Sequence, residues 1–375
     1  MKFSPLIRKF SRAALAVAAC LGIQAIAQPA GGPPGLLTTD HPNVKAVMAV
    51  QKDLTPDMMK LPGVLGTAVG LDDSGETALV IYVDQDSPSR AEIVRGLPPQ
   101  IRGIGVKVEL TDKFRAFAGK PGGGGVSHTA KQTLPIQLGT SGGWRTDLAN
   151  GYCCGGTLGS LIQVGTTKYI LSNYHVFESD IFAGGNGVAT TGDPIIQPGL
   201  IDVGCNALTA QNVATLVTLS ALPENNVDCS VAQVVDGAVR TDGAILEIGT
   251  LSSQTVGASI NQAVKKSGRT TKLTRSTVSG LNATISVAYE NECAGGAAFT
   301  KTFTGQIVIA NRRSQFLAGG DSGSLMVEDV TTNPRSVGLL YAGSSTSAIA
   351  NPIGEVLTFI SGSGKLGGTA TMVGN

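Results

Sequence analysis

From Gly139 onward the sequence repeats short β-type runs separated by turn residues, and this pattern constrains the fold most. Runs such as Thr157 to Val164 and Val278 to Val287 alternate with segments rich in glycine, asparagine, aspartate and serine. The chain contains 50 glycines and only 15% charged residues, which favours many short strands over long solvated helices. We therefore predict a mainly β barrel or sandwich, with Asp242 to Leu246 among its strands and a late helix over Ile353 to Ser361.

The residues before this β-rich region predict a separate, mixed unit. Helical spacing runs over 41–60, strand-like runs follow at 63–70, 77–83 and 104–110, and a short helix is predicted over 87–97. Four consecutive glycines, Gly122 to Gly125, then indicate a flexible boundary. We predict an α/β domain over 40–118 between linkers at 28–39 and 119–138, followed by a β-rich domain over 139–375.

Residues 1–27 have the parts of an export signal. A basic segment from Lys2 to Arg12 precedes an apolar run, and Ala25-Ile26-Ala27 offers the small-x-small pattern of a signal peptidase site. The apolar run is shorter than the roughly 20 residues that a membrane span needs. We predict a secreted or periplasmic protein without a membrane span. Val17-Ala18-Ala19-Cys20 leaves a second outcome open, in which the chain is cleaved as a lipoprotein and anchored through Cys20.

The charge of the chain argues against polyanionic partners. The formal net charge is +1, and the signal segment alone carries Lys2, Arg8, Lys9 and Arg12, so the remainder has a charge of about −3 (+1 − 4). Neither nucleic acid nor an anionic membrane surface is expected as a partner.

The cysteines point to disulfides rather than to a metal. Five of them follow the predicted signal: Cys153, Cys154, Cys205, Cys229 and Cys293. In an exported chain we expect one or two disulfides, and the odd count leaves one thiol over. A metal site would need ligand pairs such as C-x-x-C with a nearby histidine, which the sequence lacks. We predict no metal and no organic cofactor.

Histidine is informative because the chain contains only three. We expect His41, at the start of the first helix, and His128, in the linker, to lie on the surface. His175 follows the apolar run Tyr169 to Leu171, which places an imidazole where a core strand ends and a loop begins. A general base needs such a position, although a structural core histidine has the same pattern.

Two further fragments have the pattern of reactive sites. Gly319-Gly320-Asp321-Ser322-Gly323 predicts a tight turn that exposes the Ser322 hydroxyl, with backbone N–H groups converging beside it. Asp228 precedes the small apolar run Cys229 to Ala232, which predicts a carboxylate at the entry of a buried strand. A carboxylate there needs a partner to offset its desolvation, and the Nδ1–H of a histidine is one.

Together the three fragments resemble the trypsin/chymotrypsin family of serine peptidases, and most closely its exported bacterial members. Asp228 lies 53 residues after His175, and Ser322 lies 94 residues after Asp228, which is that family's order. The family's Gly-Asp-Ser-Gly signature is present at 320–323. The resemblance covers roughly 139–361. It implies a mainly β fold, a chymotrypsin-like double β-barrel, behind a small N-terminal α/β domain.

The resemblance also implies roles for individual residues. Ser322 would be the nucleophile, His175 the general base and acid, and Asp228 the carboxylate that orients His175, in the hydrolysis of a protein or peptide substrate through an acyl-enzyme. The N–H groups of Gly320 and Ser322 would form the oxyanion hole. The substrate-binding positions would be Phe316, at the base of the specificity pocket, and the strand of Tyr341, Ala342 and Gly343.

Departures from the family pattern limit these implications. Phe316 stands where an acid would bind basic side chains, so cleavage after lysine or arginine is not expected. Val176 replaces the family's cysteine, so the disulfide that normally holds that loop is absent. No activation sequence of the Arg-Ile-Val-Gly-Gly type is present, which leaves Asp321 without its usual partner, a freed N-terminus.

Two questions stay open at this point. Residues 40–118 would act as an intramolecular inhibitor or folding chaperone that is later removed, or they would be a permanent accessory domain. The chain as a whole has one main alternative function, that of a non-catalytic binding protein that keeps the protease fold.

Overall fold

The computed structural model of the chain describes residues 35–116, 126–149, 152–178, 189–289, 299–311 and 315–375. The predicted export signal at 1–27, with Cys20, lies outside these residues, and so do Gly122 to Gly125. Within the described ranges, no helix has both the length and the apolar character that a membrane crossing requires.

The N-terminal unit mixes helices and strands as predicted. Its elements are helix α1 (Pro42–Met58), strands β1 (Val64–Leu71) and β2 (Thr77–Asp84), helix α2 (Arg90–Gly96), and strands β3 (Gln100–Ile101), β4 (Ile104–Thr111) and β5 (Phe114–Ala116). His41 caps α1, because its Nδ1 accepts from the Asn43 N–H at 3.3 Å. Pro42 follows at the first helical position, where a missing N–H costs nothing.

The rest of the described chain is dominated by strands. The first group is β6 (Thr140–Trp144), β7 (Leu148–Ala149), β8 (Tyr152–Cys153), β9 (Gly156–Leu158), β10 (Ser160–Val164), β11 (Thr167–Ser172), β12 (Pro194–Gln197), β13 (Gln211–Val217) and β14 (Ser230–Val234), with helix α3 (Tyr174–Phe177) after β11. The second group is β15 (Ala263–Gly268), β16 (Lys272–Tyr289), β17 (Phe299–Ala310), β18 (Leu325–Glu328), β19 (Ser336–Gly343) and β20 (Ser347–Pro352), followed by helix α4 (Ile353–Gly362) and strand β21 (Ala370–Met372). The predicted mainly β fold behind a small mixed N-terminal unit is confirmed.

The second group of strands closes into a barrel. Its hydrogen-bonded order is β15-β18-β19-β20-β17-β16, and β16 pairs again with β15. Closure leaves no free edge among these six strands, so their apolar side chains can fill a common interior. Buried Leu325, Leu339 and Ile349 come from three of them and belong to one apolar cluster.

Seven strands of the first group, together with β21, form a sheet that returns on itself, and β7 and β8 pair separately. The order is β21-β10-β11-β14-β13-β12-β6-β9, so β9 and β10 lie near opposite ends of this sheet. Only Gly159 separates β9 from β10 in the chain, which brings the two ends together. A side chain on Gly159 would overlap the backbone oxygen of Gly323, so glycine is required where this sheet meets the other barrel.

The N-terminal unit is joined to the barrel through β16. This strand is 18 residues long, and its second half pairs antiparallel with β1, as in Gly66 opposite Ile285. Helix α1 covers the junction, where Gln51 Nε2 donates to the backbone oxygen of Asn282 at 2.9 Å. Strands β1, β2, β4 and β3 thereby extend the barrel sheet. The domain limits at 40–118 and 139–375 stay predictions, because hydrogen bonding alone does not define them.

The predicted strand from Asp242 to Leu246 is wrong. Within it, Ile245 alone forms isolated bridges, one to Leu138 and one to Gly249. Gly243 and Glu247 both have left-handed backbone conformations, with φ of 69° and 63°. Two such residues within five positions turn the chain and prevent the extended pairing of a strand.

A buried ion pair connects the two sheets. The Arg269 guanidinium, which follows β15, donates from Nε and Nη2 to the two carboxylate oxygens of Asp202 at 2.6 Å each. Asp202 follows β12, and it also accepts from Ser141 Oγ at 2.6 Å. The Arg269 side chain has no exposed surface and the Asp202 side chain is 8% exposed. The pair is therefore a fixed contact across the junction rather than a solvated surface bridge.

Replacing Arg269 with methionine should strongly destabilise the protein. The change leaves the Asp202 carboxylate buried with one partner fewer, which typically costs about 3–5 kcal/mol. Urea unfolding of both forms measures the loss. Arg335→Met is the matched control, because Arg335 forms the same two-bond pair with Glu328 on the surface. Equal unfolding midpoints for the Arg269 and Arg335 variants would contradict the role of the buried pair.

Candidate active site

The structure brings His175 and Asp228 together at the junction of strand and loop that the sequence indicated. Strand β11 ends at Ser172, and His175 lies one turn later in the short helix α3. Its Nδ1 is 2.6 Å from Asp228 Oδ2. The Asp228 side chain is fully buried, whereas 12% of the His175 side chain is exposed.

The carboxylate of Asp228 accepts four hydrogen bonds. Oδ1 accepts from the Tyr174 N–H at 2.7 Å and the His175 N–H at 3.4 Å. Oδ2 accepts from His175 Nδ1 and from the Tyr289 hydroxyl at 2.9 Å. An ionised carboxylate has about four acceptor positions, so this set uses all of them. These hydrogen bonds replace the hydration that burial removes from the carboxylate.

The backbone around Asp228 is fixed by two buried amides. Asn173 Nδ2 donates to the Asp228 backbone oxygen at 2.7 Å, and the Asp228 N–H donates to Asn351 Oδ1 at 2.9 Å. Asn173 precedes α3, and Asn351 lies on β20 of the barrel. The position of the carboxylate is therefore set from both sheets.

The protonation of His175 follows from this geometry. A carboxylate accepts only, so Nδ1 carries a hydrogen and, in the neutral ring, Nε2 has a free lone pair. Nε2 is buried and has no hydrogen-bond partner among the described residues. The imidazole is thus oriented as a base that can accept a proton at Nε2.

Ser322 lies on the predicted tight turn. Gly320 and Gly323 both have φ of 90°, a region that residues with a Cβ rarely adopt. A Cβ on Gly323 would also overlap Ser172 Oγ and the Thr157 oxygen. The Ser322 backbone oxygen accepts from the Thr157 N–H at 2.9 Å, which attaches the turn to β9 of the other sheet.

The turn lies next to the helix that carries His175. A Cβ placed on Gly156 would be 2.7 Å from Val176 Cγ2 and 3.0 Å from the Ser322 oxygen, so these two residues face the same point. The Ser322 hydroxyl itself points toward the backbone oxygen of Tyr341 at 3.5 Å. The structure therefore pairs His175 with Asp228 but, within the described residues, forms no hydrogen bond between Ser322 and His175.

Gly320 and Ser322, the predicted oxyanion-hole residues, both lie on this turn, and that role stays a prediction. The Gly319 oxygen accepts from Thr270 Oγ1 at 2.6 Å, and the Gly320 oxygen accepts from Thr157 Oγ1 at 2.9 Å. Because C=O and N–H point in opposite directions across a trans peptide, the Gly320 N–H points away from Thr270. Neither the Gly320 nor the Ser322 N–H donates to any described residue.

The four predicted substrate-binding residues have different surroundings. Phe316 is fully buried, in the same apolar cluster as Met326 and Leu340. Tyr341 and Ala342 are buried too, and the Tyr341 ring lies against Phe303 with centroids 4.9 Å apart. Their role toward a substrate stays a prediction.

Gly343, the last of the four, is paired with the N-terminal unit. It lies opposite Arg115 of β5 in antiparallel register. The same short strand runs parallel to the end of β16, where Ala116 lies opposite Tyr289. The edge at Gly343 is therefore occupied by residues of the chain itself.

Asp321 has a partner that the sequence did not reveal. The Lys266 ammonium, on β15, is 3.2 Å from Asp321 Oδ2, and both side chains are fully buried. Asp321 also accepts from the N–H groups of Thr270, Thr271 and Ala318. Burial lowers the pKa of Lys266, and the Asp321 charge opposes that lowering. Within the described residues, Lys266 is the ion-pair partner of Asp321 on this turn.

Three other titratable residues near the site are structural. Glu178, at the end of α3, accepts from Leu219 N–H, Ser220 N–H and Ser230 Oγ, and burial raises its pKa. Burial likewise raises the pKa of the free Cys229 thiol. His128 is buried rather than exposed as expected, because Nδ1 binds the Gly139 oxygen and Nε2 binds Glu247.

The cysteines of the described chain form at least one disulfide. Cys153 and Cys205 are bonded across 52 residues. Cys229 is the thiol left over. No group of three or more potential metal ligands occurs among the described residues.

Replacing Lys266 with methionine should impair the Ser322 turn. The change leaves the buried Asp321 carboxylate without its cation, which typically costs about 3–5 kcal/mol. Chemical denaturation checks this loss. Lys265→Met is the control, because the neighbouring lysine binds only the Val330 oxygen. If the two variants have the same stability, the Lys266–Asp321 pair is not what holds the turn.

Comparison with known proteins gives a partial match. The family model described as the Nal1 C-terminal domain matches residues 214–351, which include Asp228 and Ser322 but not His175 and cover less than half of the 375 residues. No curated protein matches the chain.

Similar solved structures are serine proteases. Thermobifida fusca Protease A is 16% identical with a TM-score of 0.41, over 64% of this chain and 99% of its own. Cellulomonas bogoriensis chymotrypsin is 16% identical with a TM-score of 0.38, over 64% and 99%. A glutamic-acid-specific serine protease described as using a histidine triad in substrate binding is 17% identical with a TM-score of 0.40, over 63% and 100%. At these values the assignment of a function has to come from the site itself.

Proposed function

We propose that this chain is an exported serine endopeptidase that hydrolyses peptide bonds through Ser322, His175 and Asp228. The observation that carries the proposal is the buried Asp228 carboxylate holding His175 with Nε2 free, beside the turn of Ser322. A buried aspartate that orients a histidine is costly to maintain and serves proton transfer well. The disulfide between Cys153 and Cys205 supports an oxidising location.

The reaction would proceed by acyl transfer. Ser322 Oγ attacks the carbonyl carbon of the substrate peptide while its proton moves to His175 Nε2, and Asp228 stabilises the imidazolium. The oxyanion accepts from the N–H groups of Gly320 and Ser322. When the C–N bond breaks, His175 returns the proton to the leaving amine, and water then hydrolyses the ester by the same steps. The first step requires the Ser322 side chain to rotate away from the backbone oxygen of Tyr341 and toward His175 Nε2.

Labelling with a fluorophosphonate should distinguish an enzyme from a binding protein that keeps the fold. The missing hydrogen bond between Ser322 and His175 favours the non-catalytic binding protein. The test therefore has to report on the reactivity of Ser322 directly. We expect one adduct on Ser322 in the full chain at neutral pH. Ser322→Ala should abolish it, and His175→Ala should slow it on the order of 10⁴-fold.

Ser267→Ala is the matched control for this experiment. Ser267 is a nearly buried serine on β15 whose hydroxyl has no partner among the described residues. Labelling of this variant should equal that of the wild type. If neither the folded wild-type protein nor the Arg115→Pro variant described below gains an adduct, the non-catalytic binding protein is supported.

We further propose that β5 makes the N-terminal unit an intramolecular inhibitor. By the family resemblance, a substrate would lie antiparallel to the strand of Tyr341 to Gly343. Arg115 already lies opposite Gly343 in that orientation. Asp112 and Thr111 add hydrogen bonds to Ser345 and Ser344 beside it. A peptide substrate would have to displace this short strand.

Arg115→Pro should therefore increase the rate of Ser322 labelling and of peptide hydrolysis. Proline has no N–H and cannot complete the strand pairing, so β5 should be bound more weakly. We expect an increase of about 10-fold, the effect of losing roughly 1.4 kcal/mol of pairing. Arg115→Ala keeps the backbone pairing and serves as the control. Equal rates for the proline variant and the wild type would show that β5 is not inhibitory.

A further inference from the structure

We propose that Tyr289 is a positioning residue that holds Asp228 in the orientation required by His175. The inference rests on the proposed function and adds a residue to it. The Tyr289 hydroxyl donates to Asp228 Oδ2, the same oxygen that accepts from His175 Nδ1. Tyr289 is therefore the one side chain besides His175, among the described residues, that binds this carboxylate.

The Tyr289 hydroxyl can act only as a donor to Asp228. Burial raises the pKa of Tyr289, and the adjacent Asp228 charge raises it further. The hydroxyl thus keeps its proton at neutral pH, and a carboxylate only accepts hydrogen bonds. The hydrogen bond has a defined direction, from the phenol to the carboxylate.

The Tyr289 ring is held rigidly. It meets the His175 ring edge-on, with centroids 6.0 Å apart and planes at 70°, and it contacts Phe303 on β17 at 6.4 Å. Its backbone lies opposite Ala116 of β5 on one side and Phe299 of β17 on the other. A ring fixed in this way restricts the Asp228 carboxylate to one rotation.

The Asp228 carboxylate needs a donor from the barrel because Asp228 itself lies next to the other sheet, just before β14. Asp228 precedes β14, which belongs to the sheet that returns on itself, and Tyr289 is the last residue of β16 in the barrel. The backbone donors to its oxygens, the N–H groups of Tyr174 and His175, come from helix α3, which follows β11 of the sheet that β14 belongs to. Tyr289 therefore sets the carboxylate relative to the barrel, which also carries Ser322.

A second buried tyrosine in this region does not share the role. Tyr341 lies close enough to Asp228 for the carboxylate, after burial itself, to raise the Tyr341 pKa. Its hydroxyl nevertheless has no hydrogen-bond partner among the described residues. Proximity to the carboxylate is not sufficient, and the geometry selects Tyr289.

The test uses the full chain with Tyr289→Phe, which removes the hydroxyl and keeps the ring. A carboxylate that loses one of four donors holds the imidazolium proton more strongly. We expect the pH at which His175 titrates, followed by NMR of the ring nitrogens, to rise, and its Nδ1 proton resonance to shift. We expect fluorophosphonate labelling of Ser322 to slow about 10-fold at its plateau, with the half-maximal rate at higher pH.

Tyr169→Phe is the control, because it removes another mostly buried tyrosine hydroxyl, from β11, that does not bind Asp228. The His128 resonances report in the same spectra whether each variant is folded. An unchanged His175 titration and Nδ1 resonance in folded Tyr289→Phe would overturn the positioning role. Because the NMR measurement needs no turnover, a wild-type protein that fails to label contradicts the proposed function without deciding the role of Tyr289.

Discussion

The rest of the site depends on one buried charge, the carboxylate of Asp228. An ion removed from water is stable only if hydrogen bonds replace its hydration, and here four donors do so. Those donors come from α3 and from the end of β16, while Asn351 on β20 holds the backbone. Because these elements belong to both sheets, satisfying one carboxylate also fixes how the sheets meet and which way the His175 ring faces.

Two further buried charges follow the same logic on the other side of the junction. Arg269 binds Asp202 across the sheets, and Lys266 binds Asp321 beneath the Ser322 turn. Each charge is paired and hydrogen-bonded, as burial demands. The turn also needs glycine at 323, where a side chain would overlap Ser172 and Thr157. The position of Ser322 is thus set by packing and charge together rather than by the turn sequence alone.

Local pattern predicted those parts of the protein that local interactions determine. Helix α1 and the strands β1, β2 and β4 followed from periodicity and turn residues. The His175–Asp228 contact spans 53 residues and was expected only from the family resemblance. Tyr289 and Lys266 were not predicted, because their partners lie 61 and 55 residues away in sequence and a lone tyrosine or lysine in a strand has no distinguishing pattern. The strand prediction for Asp242 to Leu246 was wrong because apolar residues of this segment are buried without forming a strand. His128 was missed because its partner Glu247 follows 119 residues later.

The N-terminal unit contacts the site through the same strand that carries Tyr289. Strand β1 pairs with the part of β16 that precedes the end of β16. Strand β5 pairs with the last residues of β16 and with Gly343. Support of the β16–β17 hairpin and coverage of the edge at Gly343 thus use one connected set of strand pairings. A contact that supports β16 also supports the donor of Asp228, so loss of the unit would free the edge at Gly343 and loosen the carboxylate together. Under the proposal that β5 inhibits the site, inhibition and assembly of the site are two consequences of one strand pairing.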